Sequence, residues 1–167
     1  MLARSGHSQR GRALLDHVTR RVPDLAASAA FYTLVLRTLE IEISVRGNGY
    51  VEWDDFAIAS ANVETRMMTA APPTKDMHVA FMAPSREHVD EFWRVGTEAG
   101  YRDNGAPGER VIYPDGYYAA FLLDPDGNNV EAVHHRSARV GTQPRFATSL
   151  LGSRPPGGAG DEPGPTG

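Results

Sequence analysis

The sequence predicts an α+β fold in which two βαβββ modules follow in tandem and form curved, mixed sheets around a concave pocket. Three observations carry that expectation. The segment "HVTRRVPDLAASAAFY" from His17 recurs as "HVAFMAPSREHVDEFW" from His78 at a constant offset of 61, with His, Val, Pro, Phe and an aromatic coinciding. In both copies an alternating stretch passes into a helix-like period. Each helix-like stretch is then followed by three short strand-like runs broken by turn residues.

The first strand places Leu15, His17 and Thr19 on one face and Leu14, Asp16 and Val18 on the other. Pro23 opens the first helix, where a missing N–H costs little, and Asp24 is a suitable capping residue. Leu25, Ser28, Tyr32, Leu36 and Leu39 then form one stripe to bury. The runs "IEISV", "YVEW" and "FAIAS", separated by "RGNG" and "DD", complete the first module.

The second module opens on a strand with His78, Ala80 and Met82 on one face and Met77, Val79 and Phe81 on the other. Its helix starts at Pro84 and Ser85, buries Val89, Phe92, Trp93 and Ala99, and ends at Gly100. The runs "RVIY", "YYAAFLL" and "VEAV" follow, with "PDG" and "DPDGNN" between them. The modules span about residues 13–70 and 75–136. Residues 1–12 are polar and Arg-rich and read as a flexible N-terminus. Residues 137–167 form a C-terminal extension that reads as disordered from about 152, where "GSRPPGGAGDEPGPTG" has almost nothing to bury.

A chain of 167 residues with 41% hydrophobic residues suits one well-buried domain. A net charge of −4, with no interleaving of basic and aromatic residues, argues against nucleic acid as a partner. The absence of cysteine excludes disulfides, thiolate ligands and a cysteine nucleophile, so any metal must use His and carboxylate. Lys75 is the only lysine and hence the one candidate for a Schiff base. No apolar run approaches a membrane span, and "MLARSGHSQRGR" lacks the apolar core of a signal peptide, so the sequence reads as a soluble, cytoplasmic protein.

Within "DPDGNNVEAVHH", Glu131 stands between Val130 and Ala132 in an otherwise apolar run. A desolvated carboxylate is costly unless something pairs with it. The more apolar face of each strand suits the helix side, which leaves His17 and His78 at equivalent inward positions. Glu131 shares its face with Val133 and His135. Two His and one carboxylate on the concave side make a facial metal site with open coordination positions. Tyr117 and Tyr118 face opposite ways on a neighbouring strand, so at most one reaches the pocket as an acid or orienting donor. His135 is a candidate proton shuttle, and Arg110 can meet an anionic substrate. Glu52 and Glu64 are replacement ligands available from the first half.

Taken together, "DHVTRRVPDLAASAAFY", "MHVAF" and "FLLDPDGNNVEAV" resemble the vicinal oxygen chelate superfamily. It includes glyoxalase I, extradiol ring-cleaving dioxygenases, fosfomycin-resistance transferases and bleomycin-resistance proteins. The resemblance covers about residues 13–136 and is most specific in "NGAPGERVIYPDGYYAAFLLDPDGNNVEAV", which is similar to small bacterial glyoxalase-like members. It implies one divalent ion (iron, manganese, nickel, cobalt or zinc) on His17, His78 and Glu131. It also implies a homodimer in which modules pair across a two-fold axis. Laying "FAIA" against "VEAV" puts the fourth-ligand slot of glyoxalase I on Ala57. Thr19 matches a threonine of the fosfomycin transferases, whose serine-rich potassium loop has no counterpart in "GERVIYPDGYY".

Two functions follow. One is an enzyme that chelates adjacent oxygens of a small substrate for isomerase or lyase chemistry, with ring-cleaving dioxygenase chemistry as its variant. The other is a metal-free pocket that sequesters an antibiotic or metabolite, as the bleomycin-resistance proteins do.

Overall fold

The computed structural model describes residues 15–64, 69–113 and 116–136. The expected flexible N-terminus, residues 1–12, and the expected extension, residues 137–167, lie outside the described residues. In chain order the first module comprises β1 (Val18–Val22), α1 (Leu25–Arg37), β2 (Val45–Gly47), β3 (Tyr50–Trp53) and β4 (Phe56–Ser60). The second comprises β5 (His78–Met82), α2 (Arg86–Glu98), β6 (Arg102–Glu109), β7 (Tyr117–Leu123) and β8 (Asn129–His135). They build two mixed four-stranded sheets, ordered β1-β4-β3-β2 and β5-β8-β7-β6. In each sheet the first strand of the module runs parallel to the last, and the other pairs are antiparallel.

Local chemistry starts and stops the helices. The Asp24 carboxylate accepts from the Ala27 N–H at 3.0 Å, satisfying a donor that has no partner within the first turn of α1. Ser85 occupies the same place before α2 but makes no capping bond; its hydroxyl meets His88 Nδ1 at 2.8 Å instead. Gly100, at φ +88°, takes the left-handed conformation that ends α2. From α1, Phe31, Tyr32, Val35 and Leu36 are buried, and from α2, Val89, Phe92 and Gly96. One core joins both modules: Phe31, Trp53 and Ile58 of the first pack in the same cluster as Phe81, Phe92 and Leu122 of the second. Phe56 meets Phe81 edge-on at 5.1 Å. Each such side chain contributes roughly 1.5–3 kcal/mol on burial.

Two expected strands lie elsewhere. β2 begins at Val45, not across "IEISV". Ile41 and Ile43 still pack on the core, but the Ile41 N–H donates to the Leu36 carbonyl and so closes the end of α1 rather than joining a ladder. The strand expected at "RVIY" falls instead on "RDNGAPGE". β6 is an edge strand whose pairing with β7 shifts register twice, between Asp103 and Gly105 and between Gly105 and Gly108. Bulged edge strands tolerate the Gly and Pro that otherwise signal a loop.

Arg20 is the charged exception in the core. Alternation turns it to the helix side with Val22, and only 1% of it is exposed. Its guanidinium donates to Tyr32 at 2.7 Å, to Asp126 at 2.8 Å and to the buried Asp124. Asp124 also accepts from the N–H groups of Asp126 and Asn128, each at 2.9 Å, shaping a turn that Gly127 completes at φ +84°. One carboxylate thus both folds the turn that starts β8 and ties it to β1 of the other module. Replacing Arg20 by methionine leaves Asp124 buried without its cation. The expected cost is about 3–5 kcal/mol in urea unfolding, whereas a loss below about 1 kcal/mol would show that the pair contributes little.

Candidate functional site

On β8, alternation puts Asn129, Glu131, Val133 and His135 on one face, and on β5 it does the same for His78, Ala80 and Met82. The parallel β5–β8 register sets His78 opposite Asn129 and Ala80 opposite Glu131, while β7 places Phe121 on the other side of Glu131. The small Ala80 leaves space for the carboxylate beside it. Glu131 is only 2% exposed. Its Oε2 lies 2.8 Å from His78 Nε2, and its Oε1 accepts from the Tyr117 hydroxyl at 2.6 Å.

Burial first, then the bond to Glu131 and its charge, push the Tyr117 phenol well above the ordinary tyrosine range. Tyr117 therefore stays protonated at neutral pH and acts as a donor, not a base. Its ring stacks on Tyr113 at 4.5 Å and meets His135 edge-on at 4.9 Å. Arg110 lies 5.0 Å over the Phe121 ring, and its Nη2 donates to the carbonyls of Ala106 at 2.8 Å and Ala119 at 3.1 Å. A Cβ on Gly105 would come within 2.9 Å of Phe121, so glycine lets β6 pass beneath this pair.

The other candidate residues stand in the first module. His17 precedes β1, its side chain is 69% exposed, and its Nδ1 lies 2.8 Å from Asp16. Asp16, through that bond and then its charge, holds His17 above the usual imidazole range, and Glu52 and Asp55 add to the effect. Thr19 pairs with Ala57 and Ala57 with Glu52, so the three form one row across β1, β4 and β3. Ala57 stands opposite Thr19 just as Glu131 stands opposite Ala80, at equivalent places in the two ladders. A methyl group therefore occupies the position that carries a carboxylate in the second module. Glu64 is exposed beyond β4.

His78, Glu131, Tyr117 and His135 are thus brought together, with Arg110 and Phe121 beside them, while Thr19 and Ala57 belong to the other sheet and His17 stands just before its first strand. Tyr118 turns the opposite way, donating to Asp90 on α2 at 2.7 Å under the Arg86 guanidinium. Among the described residues of a single chain, no three His, Cys, Asp or Glu side chains stand together as a metal-holding group. A cavity of about 510 Å³ is lined by Ala30, Thr33 and Arg46, and one of about 450 Å³ lies at Asp124–Gly127. Neither touches His78 or Glu131. Sequence reasoning missed Asn129, whose Nδ2 lies 2.7 Å from His78 Nδ1. Its place two residues before Glu131, on the same face, was the available signal.

The model of the Glyoxalase/Bleomycin resistance protein/Dioxygenase superfamily matches residues 14–132. The chain belongs to this superfamily. The structure of a glyoxalase/bleomycin resistance protein from Albidiferax ferrireducens is 28% identical, covers 73% of this chain and 99% of its own, and has a TM-score of 0.57. A putative glyoxalase from Bacillus halodurans is 26% identical over 74% of this chain and 96% of its own, with a TM-score of 0.53. An uncharacterized Bacillus subtilis protein, YqjT, is 27% identical over 71% of this chain and 97% of its own length. The superfamily match reaches from before β1 into β8 and so spans both modules. No helix among the described residues is long and apolar enough to cross a membrane.

Proposed function

We propose that the chain is a divalent-metal enzyme of the superfamily, acting on a small substrate with two adjacent oxygens by isomerase or lyase chemistry. The observation that carries this reading is the buried Glu131 carboxylate facing His78. An imidazole nitrogen and a carboxylate oxygen at hydrogen-bond distance would both be free to hold one ion in place of the proton between them. His78 Nε2 and Glu131 Oε2 are 2.8 Å apart. Imidazole with carboxylate suits iron, manganese, nickel, cobalt or zinc. The third ligand in this reading is His17 of the partner subunit in a homodimer, because in its own chain His17 is exposed just before β1 and no three-ligand group forms among the described residues.

When bound there, a divalent ion supplies Lewis-acid stabilisation of the negative charge that develops on substrate oxygens. The chain's own residues do the rest. Tyr117 orients Glu131 and holds its own proton at the edge of the site. Arg110, fixed by two carbonyls, directs positive charge toward the same region and suits a substrate with an anionic group. In this reading His135, whose ring meets Tyr117 edge-on, is the residue that passes a proton to solvent. Ala57 adds no ligand, which leaves positions for water or substrate.

The test is elemental analysis of protein purified without chelators or an affinity tag, and again after reconstitution with each of the five metals. About one ion per chain is expected. Protein that stays empty under every condition would sink the metal reading and favour a metal-free binding role.

A further inference from the structure

We propose that Asn129 is a positioning residue for His78: its carboxamide, anchored by Asn104, holds the imidazole plane and lets the ring carry its proton on either nitrogen. The His78 ring is gripped at both ends. Nε2 faces Glu131, and Nδ1 faces Asn129 Nδ2 at 2.7 Å. Asn129 Oδ1 in turn accepts from Asn104 Nδ2 at 3.0 Å. A single chain of hydrogen bonds therefore runs Asn104–Asn129–His78–Glu131–Tyr117 through all four strands of the sheet.

Asn104 is not there by regular pairing. It is the extra residue of the first bulge in β6, between Asp103, which pairs with Leu122, and Gly105, which pairs with Phe121. Bulges re-aim side chains. This one is pinned by Asp103, whose Oδ1 accepts from the Trp93 indole at 2.9 Å and from the Gly105 N–H at 2.7 Å. The irregularity that breaks the edge ladder is what sends Asn104 across β7 to Asn129.

The donor order has a chemical consequence. With Asn104 donating to Asn129 and Asn129 donating to Nδ1, the proton of a neutral His78 sits on Nε2 and points at Glu131. A ligating Nε2 needs the opposite tautomer, with the proton on Nδ1 and an acceptor facing it. Rotating both carboxamides by half a turn supplies that acceptor without moving a heavy-atom position, because an amide presents a donor on one side and an acceptor on the other. Leucine serves neither tautomer, and aspartate serves only the ligating one. The effect on metal uptake rests on reading His78 as a ligand; the positioning of the ring does not.

The experiment compares wild type with Asn129→Leu, Asn129→Asp and Asn104→Ala. Nitrogen-15 NMR of the metal-free proteins, at a pH where imidazole is neutral, reads His78 directly. Manganese and zinc affinities are measured by chelator competition. The Nδ1 resonance is expected to move in Asn129→Leu to that of an unbonded ring nitrogen. Metal binding is expected to weaken about 10–100-fold in Asn129→Leu and less in Asn104→Ala, and to tighten in Asn129→Asp, with unfolding temperatures alike. A merely structural role would not drive the leucine and aspartate variants in opposite directions. An unmoved Nδ1 resonance in Asn129→Leu overturns the proposal, as do metal affinities within about twofold across the series in a wild type that binds metal. If wild type binds no metal, the metal reading alone fails, and the Nδ1 resonance still decides the role of Asn129.

Discussion

Replacing Glu131 with glutamine is expected to weaken divalent-metal binding by at least about 100-fold while the metal-free protein keeps its fold. Loss of an outer-shell partner already costs 10–100-fold in comparable sites, and Glu131 is proposed as a direct ligand that also supplies the negative charge. Glutamine keeps the volume and an oxygen to accept from Tyr117, so the packing beside Ala80 and Phe121 survives. It also removes a buried charge whose desolvation opposes folding. The unfolding temperature of the metal-free variant should therefore stay within about 3 °C of wild type. Metal titration and thermal unfolding on the same preparations separate the two effects. Unchanged metal affinity would show that Glu131 is not a ligand. A collapse of stability with or without metal would make the Glu131–His78 pair a structural contact instead.

The parts of this molecule that could be read from sequence are those set by local periodicity. Period-2 alternation put His78 and Glu131 on one face and sent Tyr117 and Tyr118 to opposite faces, because successive side chains in a strand must alternate. The helix starts were legible to within a residue or two: Asp24 caps α1 as expected, but Pro23 and Pro84 stand before the caps rather than inside the helices, and Ser85 makes no capping bond. Laying "FAIA" against "VEAV" found the equivalence of Ala57 and Glu131 because both halves repeat the same ladder. What escaped depends on partners distant in the chain. Arg20 alternates into the core with Val22, but a guanidinium is stable there only with Asp124 and Asp126, 104 and 106 residues away. Asn129 touches His78 because β5 and β8 pair in parallel, a register that no sequence period specifies. β6 was hidden because an edge strand with bulges has little need of the apolar alternation by which strands are recognised.

Mixing His17→Ala protein with Glu131→Ala protein is expected to restore metal binding that neither has alone. In one chain His17 stands just before β1 of the first sheet, the His78–Glu131 pair belongs to the second, and no three-ligand group forms among the described residues. A two-fold axis that set the first sheet of one protomer against the second sheet of its partner would bring the three ligands together twice per dimer. In a mixed dimer both lesions then fall in one site, and the other site is intact. Random exchange of equal amounts makes half of the dimers mixed, so about a quarter of all sites should recover, against almost none in either parent. Chains carrying different mass tags establish by native mass spectrometry that exchange has occurred, and metal content is then read on the exchanged pool. Absence of recovery in a fully exchanged pool would place every ligand of a site within one chain. His17 would then have no part in the His78–Glu131 centre, and Glu52, in one row with Ala57 and Thr19, would become the first-module residue to test in its place.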